Sequence, residues 1–123
     1  MKFGEHKIEV NADGWVILTF GREIQLHDLE PMLNVCSDYL RKSREKNNAA
    51  LMMVDVASLE KVSLRSRQHG FRWMGKKEFD KLAVLATTIF MKHFVNMLIV
   101  AAGLNREMKV FSNSEDLKNW LNE

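Results

Sequence analysis

Alternating apolar and polar residues near the start of the chain predict two strands joined by a tight turn. Residues 6–11 (HKIEVN) alternate with a period of two, and the turn-forming cluster Asn-Ala-Asp-Gly follows at 11–14. Residues 15–21 (WVILTFG) are apolar and contain several β-branched side chains, which is typical of a strand. The chain is therefore predicted to open with a β-hairpin.

A helical spacing of apolar residues follows the hairpin. The positions that recur every three or four residues, and so form one face of an amphipathic helix, are Leu29, Met32, Leu33, Cys36, Tyr39 and Leu40. His27 or Asp28 is predicted to cap this helix, and Pro31 then lies in its first turn, where no amide hydrogen bond is lost. The polar run at 41–48 is predicted to end the helix.

An apolar run that ends in an acid predicts a buried strand in the middle of the chain. Residues 50–56 (ALMMVDV) have the nearly continuous apolar pattern of a strand in a parallel sheet. A loop is predicted at 58–62, and Ser63 is a candidate N-cap for a helix at 64–77. The residues of this helix that are expected to face the core are Leu64, Phe71 and Met74.

Strand and helix patterns alternate again in the last third of the chain. Residues 81–86 (KLAVLA) and 108–111 (MKVF) are predicted strands, and 89–104 is a predicted helix between them. The Ser-Asn-Ser-Glu sequence at 112–115 is typical of a capped helix start. The apolar residues of this final helix are Leu117, Trp120 and Leu121.

The predicted order of elements, β-β-α-β-α-β-α-β-α, indicates an α/β fold. Strands that alternate with helices pair mostly in parallel with right-handed crossovers, so a mostly parallel sheet is expected beyond the hairpin. A length of 123 residues is sufficient for one domain with its own core. We therefore predict one domain over residues 1–123.

The predicted helix at 89–104 has no wide polar face. Twelve of its sixteen residues are apolar, and only Lys92, His93 and Asn96 are polar. A surface helix normally keeps a broad polar side, so this helix is expected to be covered on most sides. The protein's own core, a partner subunit, and a lipid or other apolar ligand are the three alternatives for that cover.

Two sets of side chains are candidates for contact with a ligand or partner. The residues of helix 89–104 expected to line an apolar site or touch a membrane are Phe90, Met91, Phe94, Met97 and Leu98. The preceding helix carries a basic stripe formed by Arg65, Arg72 and Lys76. This stripe is expected to contact lipid head groups or an acidic protein surface, and a merely solvated helix face is the alternative.

Charge and composition argue against several classes of function. The chain has 18 Lys and Arg against 16 Asp and Glu, a net charge of +2, which is too balanced to indicate nucleic-acid binding. The first fourteen residues contain no apolar signal core, and helix 89–104 is shorter than the roughly 20 apolar residues of a bilayer span. We therefore expect a cytoplasmic protein, either free or peripheral at the membrane. The single Cys36 excludes an internal disulfide and is expected to be a small buried apolar side chain.

No catalytic or metal-binding motif is present in the sequence. No two of the four histidines have the spacing of a helical metal site, and there is no Gly-x-Ser-x-Gly elbow or Gly-rich phosphate loop. Asp55 lies at the carboxyl end of a predicted parallel strand, where α/β folds place active groups. A lone carboxylate at that position more often caps a loop. We predict no catalytic residue, no metal site and no cofactor.

Four segments of the chain carry a resemblance to a known family. They are HKIEVNADGWVILTFG at 6–21, MMVDV at 52–56, EFDKLAVLA at 78–86 and MKVFSNSEDLKNWL at 108–121. In this order they resemble the SpoIIAA-like branch of the STAS domains, a superfamily named after sulphate transporters and anti-sigma factor antagonists. The resemblance covers about residues 6–122 and implies a small sheet with helices packed mainly on one face, without catalytic activity.

The resemblance also implies two kinds of function. In partner-switching STAS proteins, a kinase phosphorylates a serine in the loop after the strand that ends in Asp. The corresponding loop here is 55–66 and the candidate is Ser63, although the Asp-Ser-Ser-Gly-like sequence of those proteins is absent. The SpoIIAA-like branch is also similar to lipid-transfer domains of the CRAL-TRIO type, in which a mobile helix uncovers an apolar cavity. Helix 89–104 is the corresponding helix here.

Two functions therefore stay open. The composition of helix 89–104 favours a non-enzymatic domain that binds an apolar small molecule or lipid, or a membrane surface, through this helix. The alternative is a regulatory module that binds a protein partner through the loop at 55–66, with helix 89–104 then serving as a homodimer face. Neither enzymatic activity nor nucleic-acid binding is expected.

Overall fold

Eight strands and four helices make up the fold in the computed structural model, which describes residues 1–123. In chain order the elements are β1 (Lys2–Phe3), β2 (His6–Val10), β3 (Val16–Thr19), β4 (Glu23–Ile24), α1 (Leu26–Glu45), β5 (Leu51–Asp55), β6 (Lys61–Val62), α2 (Leu64–Gly75), β7 (Lys81–Leu85), α3 (Ile89–Ala102), β8 (Met108–Phe111) and α4 (Ser114–Leu121).

Six of the strands form one sheet, in the order β1-β2-β3-β5-β7-β8. The β1–β2 and β2–β3 pairs are antiparallel, and the pairs from β3 to β8 are parallel. The register aligns Leu18, Val54, Val84 and Val110 in one row across the four parallel strands. Because side chains alternate between the faces of a sheet, this row points to a single side. The predicted opening hairpin and mostly parallel sheet are confirmed.

Helices α1, α2 and α3 cover one face of the sheet, and α4 covers the other. The larger core contains 22 buried residues and lies between the sheet and the first three helices. On the opposite face, Leu117 and Trp120 of α4 pack with Trp15 and Ala83 in a smaller core. The predicted arrangement, with helices mainly on one face, is therefore confirmed.

Three strands of two residues each, β1, β4 and β6, are not predicted by the sequence pattern. Strands β4 and β6 pair in parallel as a separate small sheet, with Ile24 opposite Val62. The pair Lys61–Val62 is thus a strand inside the segment 58–62 that the pattern predicts to be a loop. Two residues are too few to show an alternating pattern, so such strands form only when a partner strand is brought alongside.

Helix α1 begins earlier than its sequence signals indicate. Its N-cap is Gln25, which makes no side-chain capping hydrogen bond, so neither His27 nor Asp28 caps the helix. Pro31 is consequently the sixth helical residue and not a member of the first turn. A proline there removes one amide donor from the helix. The burial of residues such as Leu29 beneath this turn compensates for the missing hydrogen bond.

Helix α2 turns a different face to the core from the one that the pattern predicts. Leu64 and Phe71 are exposed, whereas Ser66 and Trp73 are buried. The indole Nε1 of Trp73 donates a hydrogen bond to the Oγ of Ser37 on α1, at 2.8 Å. The prediction that Leu64 faces the core is wrong, because this polar anchor and the bulk of the indole set the rotation of the helix. Met74 packs against the larger core, as predicted, whereas Phe71 is 39% exposed and lines an apolar cavity at the margin of that core.

Cys36 lies in the larger core, as predicted. Burial raises the pKa of its thiol to about 12, because the charged thiolate would lose its hydration inside the protein. The thiol is therefore protonated at neutral pH, and Cys36 acts as an apolar packing residue.

Candidate functional site

Ser63 caps the N-terminus of α2, as the sequence predicts. Its Oγ accepts the backbone N–H of Ser66 at 3.2 Å and donates to the Oγ of Ser66 at 2.7 Å. Serine is a favoured N-cap because its oxygen satisfies one of the free amides of the first helical turn. Ser63 as a residue is partly exposed.

The small β4–β6 sheet fixes the position of Ser63. The backbone N–H of Ser63 donates to the carbonyl of Ile24 at 3.2 Å, and the buried Oγ of Ser66 donates to the same carbonyl at 3.5 Å. The start of α2 is therefore tied to β4, the element that leads directly into α1. This connection brings the first turns of α1 and α2 side by side.

A groove of about 670 Å³, here called the Ser63 groove, lies between the N-terminal ends of α1 and α2. The residues that line it are Gln25, Leu26, His27, Glu30, Pro31, Ser63, Leu64 and Arg65. Most of these side chains are polar. Among the apolar residues of the lining, Leu64 extends furthest into solvent, with 67% of its surface exposed. The groove therefore combines a hydroxyl, charges of both signs and one exposed apolar side chain.

Asp55 caps a turn. Its Oδ1 accepts the backbone N–H of Ala57 at 2.9 Å, which closes the turn after β5. This is the capping role that the sequence analysis favours over a catalytic one.

Each of the three basic residues of the predicted stripe, Arg65, Arg72 and Lys76, is exposed. None of them forms an ion pair with a carboxylate. Arg65 lies in the Ser63 groove, while Arg72 and Lys76 lie at the other end of α2. Arg67 differs from these three, because its Nε donates to the carbonyl of Val62 at 3.1 Å.

An apolar cavity of about 170 Å³, here called the α2–α3 cavity, lies between these two helices and the sheet. Of its 23 lining residues, 20 are hydrophobic, and the remaining three are Ser66, Arg67 and Gly70. Met91, Phe94 and Leu98 line it from α3. The structure thus brings together three of the five residues that the sequence predicts as ligand contacts.

The other two predicted contacts, Phe90 and Met97, lie on the outer surface of α3. They are 78% and 69% exposed. Ile89 and Val100 of the same helix are also exposed. Helix α3 therefore has two apolar sides, one over the cavity and one facing solvent.

Several residues of the site are not found by sequence reasoning. Leu26, His27 and Glu30 enter the Ser63 groove only because α1 begins beside α2 in space. Leu64 is the apolar groove residue that the sequence does single out. It lies nine residues before Trp73 and therefore on the opposite side of α2, although the pattern assigns it to the core.

The histidines and acids are dispersed. His6 is buried, and its Nδ1 accepts the backbone N–H of Gly21 at 2.9 Å. Nowhere do three or more His, Cys, Asp or Glu side chains come close enough to hold a metal ion. None of the four helices has both the length and the hydropathy required to cross a lipid bilayer.

Comparison with known proteins identifies the fold. No family model matches the chain, and no curated protein matches its sequence. Among solved structures, a protein of the DUF3478 family with a SpoIIAA-like fold from Shewanella loihica superposes with a TM-score of 0.71 at 17% identity. That match covers 94% of this chain and 91% of the other.

Two further solved structures are similar. An anti-sigma factor antagonist from Mycobacterium paratuberculosis has a TM-score of 0.62 at 14% identity, covering 96% of this chain and 93% of its own. The anti-sigma factor antagonist SpoIIAA in its unphosphorylated form has a TM-score of 0.58 at 12% identity, covering 96% and 97%. This chain therefore has a SpoIIAA-like fold, as the sequence resemblance implies.

Proposed function

We propose that this chain is a non-catalytic regulatory domain that binds a protein partner through the Ser63 groove. The exposure of Leu64 on the rim of that groove, next to the Ser63 hydroxyl, is the observation that carries the proposal. Covering an exposed leucine contributes about 1.5–3 kcal/mol, which is enough to anchor a modest interface. The polar residues around it supply the directional contacts of an interface rim.

The similar structures support this type of role. Two of them are anti-sigma factor antagonists, and one of these is in an unphosphorylated form. Because the identities are low, only the kind of role is transferred here, namely regulation through a protein partner. Ser63 is then the proposed site of modification in this chain.

Phosphorylation of Ser63 would change the groove without unfolding the helix. A phosphate adds about 1.5–2 negative charges, which the N-terminal end of α2 and the neighbouring Arg65 and Arg67 favour. The hydrogen bond from the Ser63 hydroxyl to Ser66 would be lost, and Glu30 across the groove would be repelled. We expect the modified surface to reject the partner that the unmodified surface binds.

Affinity capture from native cell extract, with quantitative mass spectrometry, tests the proposal. We expect the wild-type domain to enrich a protein that Leu64→Asp and Ser63→Asp both lose. Phe90→Asp is the matched control, since it places the same charge on another largely exposed apolar residue, which lies on a different helix. A captured protein that is insensitive to Leu64→Asp but lost in Phe90→Asp would contradict the proposed surface, and so would the absence of any specific capture.

A second candidate function, binding of an apolar molecule beneath α3, is favoured by the α2–α3 cavity. Its lining is almost wholly apolar, which suits a hydrocarbon ligand. At about 170 Å³ it is smaller than the 300–1,000 Å³ of common ligand sites. Helix α3 must therefore move away from the sheet to admit a lipid chain. Its outer residues Phe90 and Met97, together with Arg65, Arg72 and Lys76, would then face an anionic membrane.

Native mass spectrometry and flotation with anionic vesicles test this second function. We expect Gly70→Leu to abolish a copurified adduct, because a Cβ at Gly70 meets open space and the longer side chain would fill the cavity. Phe90→Asp should abolish flotation and leave the adduct. Leu64→Asp is the control that should leave both unchanged. A protein that neither carries an adduct nor floats would remove this candidate and leave the Ser63 groove as the functional surface.

A further inference from the structure

Strand β8 forms an open edge of the six-stranded sheet, because β7 is its only neighbour. The carbonyls of Glu107 and Phe111 accept the N–H groups of Leu82 and Ala86, at 2.8 and 3.0 Å. Since the backbone groups of successive residues point to opposite sides of a strand, Val110 turns its N–H and C=O away from β7. Unpaired groups of this kind are a template for another strand.

A cleft of about 440 Å³ runs beside this edge, between β8 and α3. It is lined by Ile89, Lys92, His93, Asn96 and Val110. An edge strand with a cleft between it and a helix suits an added peptide strand. The main chain of such a peptide bonds to the edge, and its alternate side chains enter the cleft. The apolar surface of Ile89 and Val110 would accept one side chain of this kind.

The charges at the edge favour an acidic partner. No carboxylate lines the cleft, and Lys92 forms no ion pair. Arg106, just before β8, is also without a carboxylate partner, whereas Lys109 of β8 lies on the other face of the sheet, with its Nζ 5.5 Å from the centre of the Trp120 ring. A second copy of this chain fits less well. Pairing of two β8 strands about Val110 would bring the two copies of Lys109 to roughly 7–8 Å from each other, which is unfavourable for like charges.

We propose that β8 binds an extended acidic peptide as a seventh strand, with the outward N–H and C=O of Val110 pairing to its backbone. An acidic side chain of the peptide lies next to Lys92, and an apolar one lies over Ile89 and Val110. This surface is separate from the Ser63 groove, so binding here does not depend on the function proposed for that groove.

A titration followed by amide NMR tests the proposal, with the synthetic peptide acetyl-Glu-Thr-Val-Thr-Glu-amide as the probe. In an extended peptide, the two Glu and the Val share one face. We expect a saturable shift centred on the Val110 amide. Lys92→Glu should weaken binding about fivefold to tenfold, while Lys118→Glu, an exposed lysine on α4, should leave it unchanged.

Two variants at Val110 separate backbone pairing from side-chain contact. Val110→Pro removes the outward N–H but none of the hydrogen bonds to β7, so the fold should persist and peptide binding should be lost. Val110→Ala keeps the amide and should bind. If Val110→Pro does not fold, the comparison of peptide binding by Lys92→Glu and Lys118→Glu still tests whether the peptide lies at the β8 edge.

Three results would overturn the proposal. The first is the absence of a saturable shift at Val110 with the acidic peptide. The second is equal binding of acetyl-Lys-Thr-Val-Thr-Lys-amide, which would remove the charge argument. The third is a shift of the Val110 amide with protein concentration alone, which would identify a second copy as the occupant of the edge.

Discussion

The hydrogen bond between Trp73 and Ser37 provides a quantitative test of how α2 is held against α1. Both side chains are buried, and the Nε1 to Oγ distance is 2.8 Å. A typical hydrogen bond contributes about 1 kcal/mol to the free energy of unfolding. Trp73→Phe also removes part of a packed ring, which adds about 1–2 kcal/mol. We therefore expect Trp73→Phe to lower the free energy of unfolding by about 2–3 kcal/mol and Ser37→Ala by about 1 kcal/mol.

A double-mutant cycle isolates the hydrogen bond. The double variant Trp73→Phe/Ser37→Ala loses this bond only once, so its cost should be about 1 kcal/mol less than the sum of the single costs. Urea unfolding followed by far-UV circular dichroism measures all three variants, provided that the slope against urea stays constant. Trp120→Phe combined with Ser37→Ala is the control, because Trp120 lies in the smaller core on the other face. These two changes should be additive.

An additive Trp73→Phe/Ser37→Ala pair would refute this reasoning. It would mean that the indole N–H and the hydroxyl do not interact in solution, and that α2 is oriented by apolar packing alone. Another cause would then be needed for the rotation of α2 and for the exposure of Leu64 on the Ser63 groove.

Three further predictions concern pH and backbone strain. The backbone N–H of Glu23 donates to Glu5 at 2.8 Å and holds the pKa of that carboxyl below its ordinary value. The ionised form of Glu5 therefore stabilises the fold at neutral pH, and this stability is lost as the pH falls through the lowered pKa. In Glu5→Gln, the urea concentration at the unfolding midpoint should depend less on pH between about pH 3 and pH 6 than it does in the wild type. Cys36, with its pKa raised to about 12, should resist thiol reagents in the folded protein, and modification of its thiol before the protein unfolds would contradict its burial. The stability that the buried neutral thiol contributes should be lost as the pH rises from 9.0 towards about 12. Gly103 ends α3 at φ 69°, and a Cβ there meets no atom within 4 Å. Gly103→Ala should therefore lower the free energy of unfolding, measured in urea, by about 1 kcal/mol through backbone strain alone. Gly70→Ala inside α2 should instead raise the free energy of unfolding by about 0.5–1 kcal/mol. Equal effects of the two substitutions would contradict the positive φ of Gly103.

Local patterns were sufficient for the larger elements of this fold. The alternation in 6–11 and the apolar run at 50–56 predict strands that the structure contains as β2 and β5. Ser63 is an N-cap in both the pattern and the structure, since capping depends on only four consecutive residues. The small β4–β6 sheet could not be predicted, because each of its strands is too short to pair without a neighbour held in place by the rest of the fold.

The rotation of the apolar helices could not be predicted either. On α2, apolar spacing assigns Leu64 to the core, but Leu64 is exposed and Ser66 and Trp73 are buried. On α3 nearly every side is apolar, so periodicity does not distinguish Phe90, which faces solvent, from Phe94, which lines the α2–α3 cavity. The Ser63 groove is beyond sequence analysis for a related reason, since two helix ends far apart in the chain form it.

The placement of α4 alone on the second face of the sheet determines when that face becomes protected during synthesis. Trp15 and Ala83 are buried by α4, yet α4 follows every strand of the sheet in the chain. A nascent chain that has already paired its strands therefore still exposes an apolar strip across β3, β5 and β7. Such a strip is a site for aggregation or chaperone binding until residues 114–121 have left the ribosome. Substitutions that weaken the docking of α4, such as Leu117→Ala, should consequently lower soluble yield more than their effect on the free energy of unfolding alone would indicate.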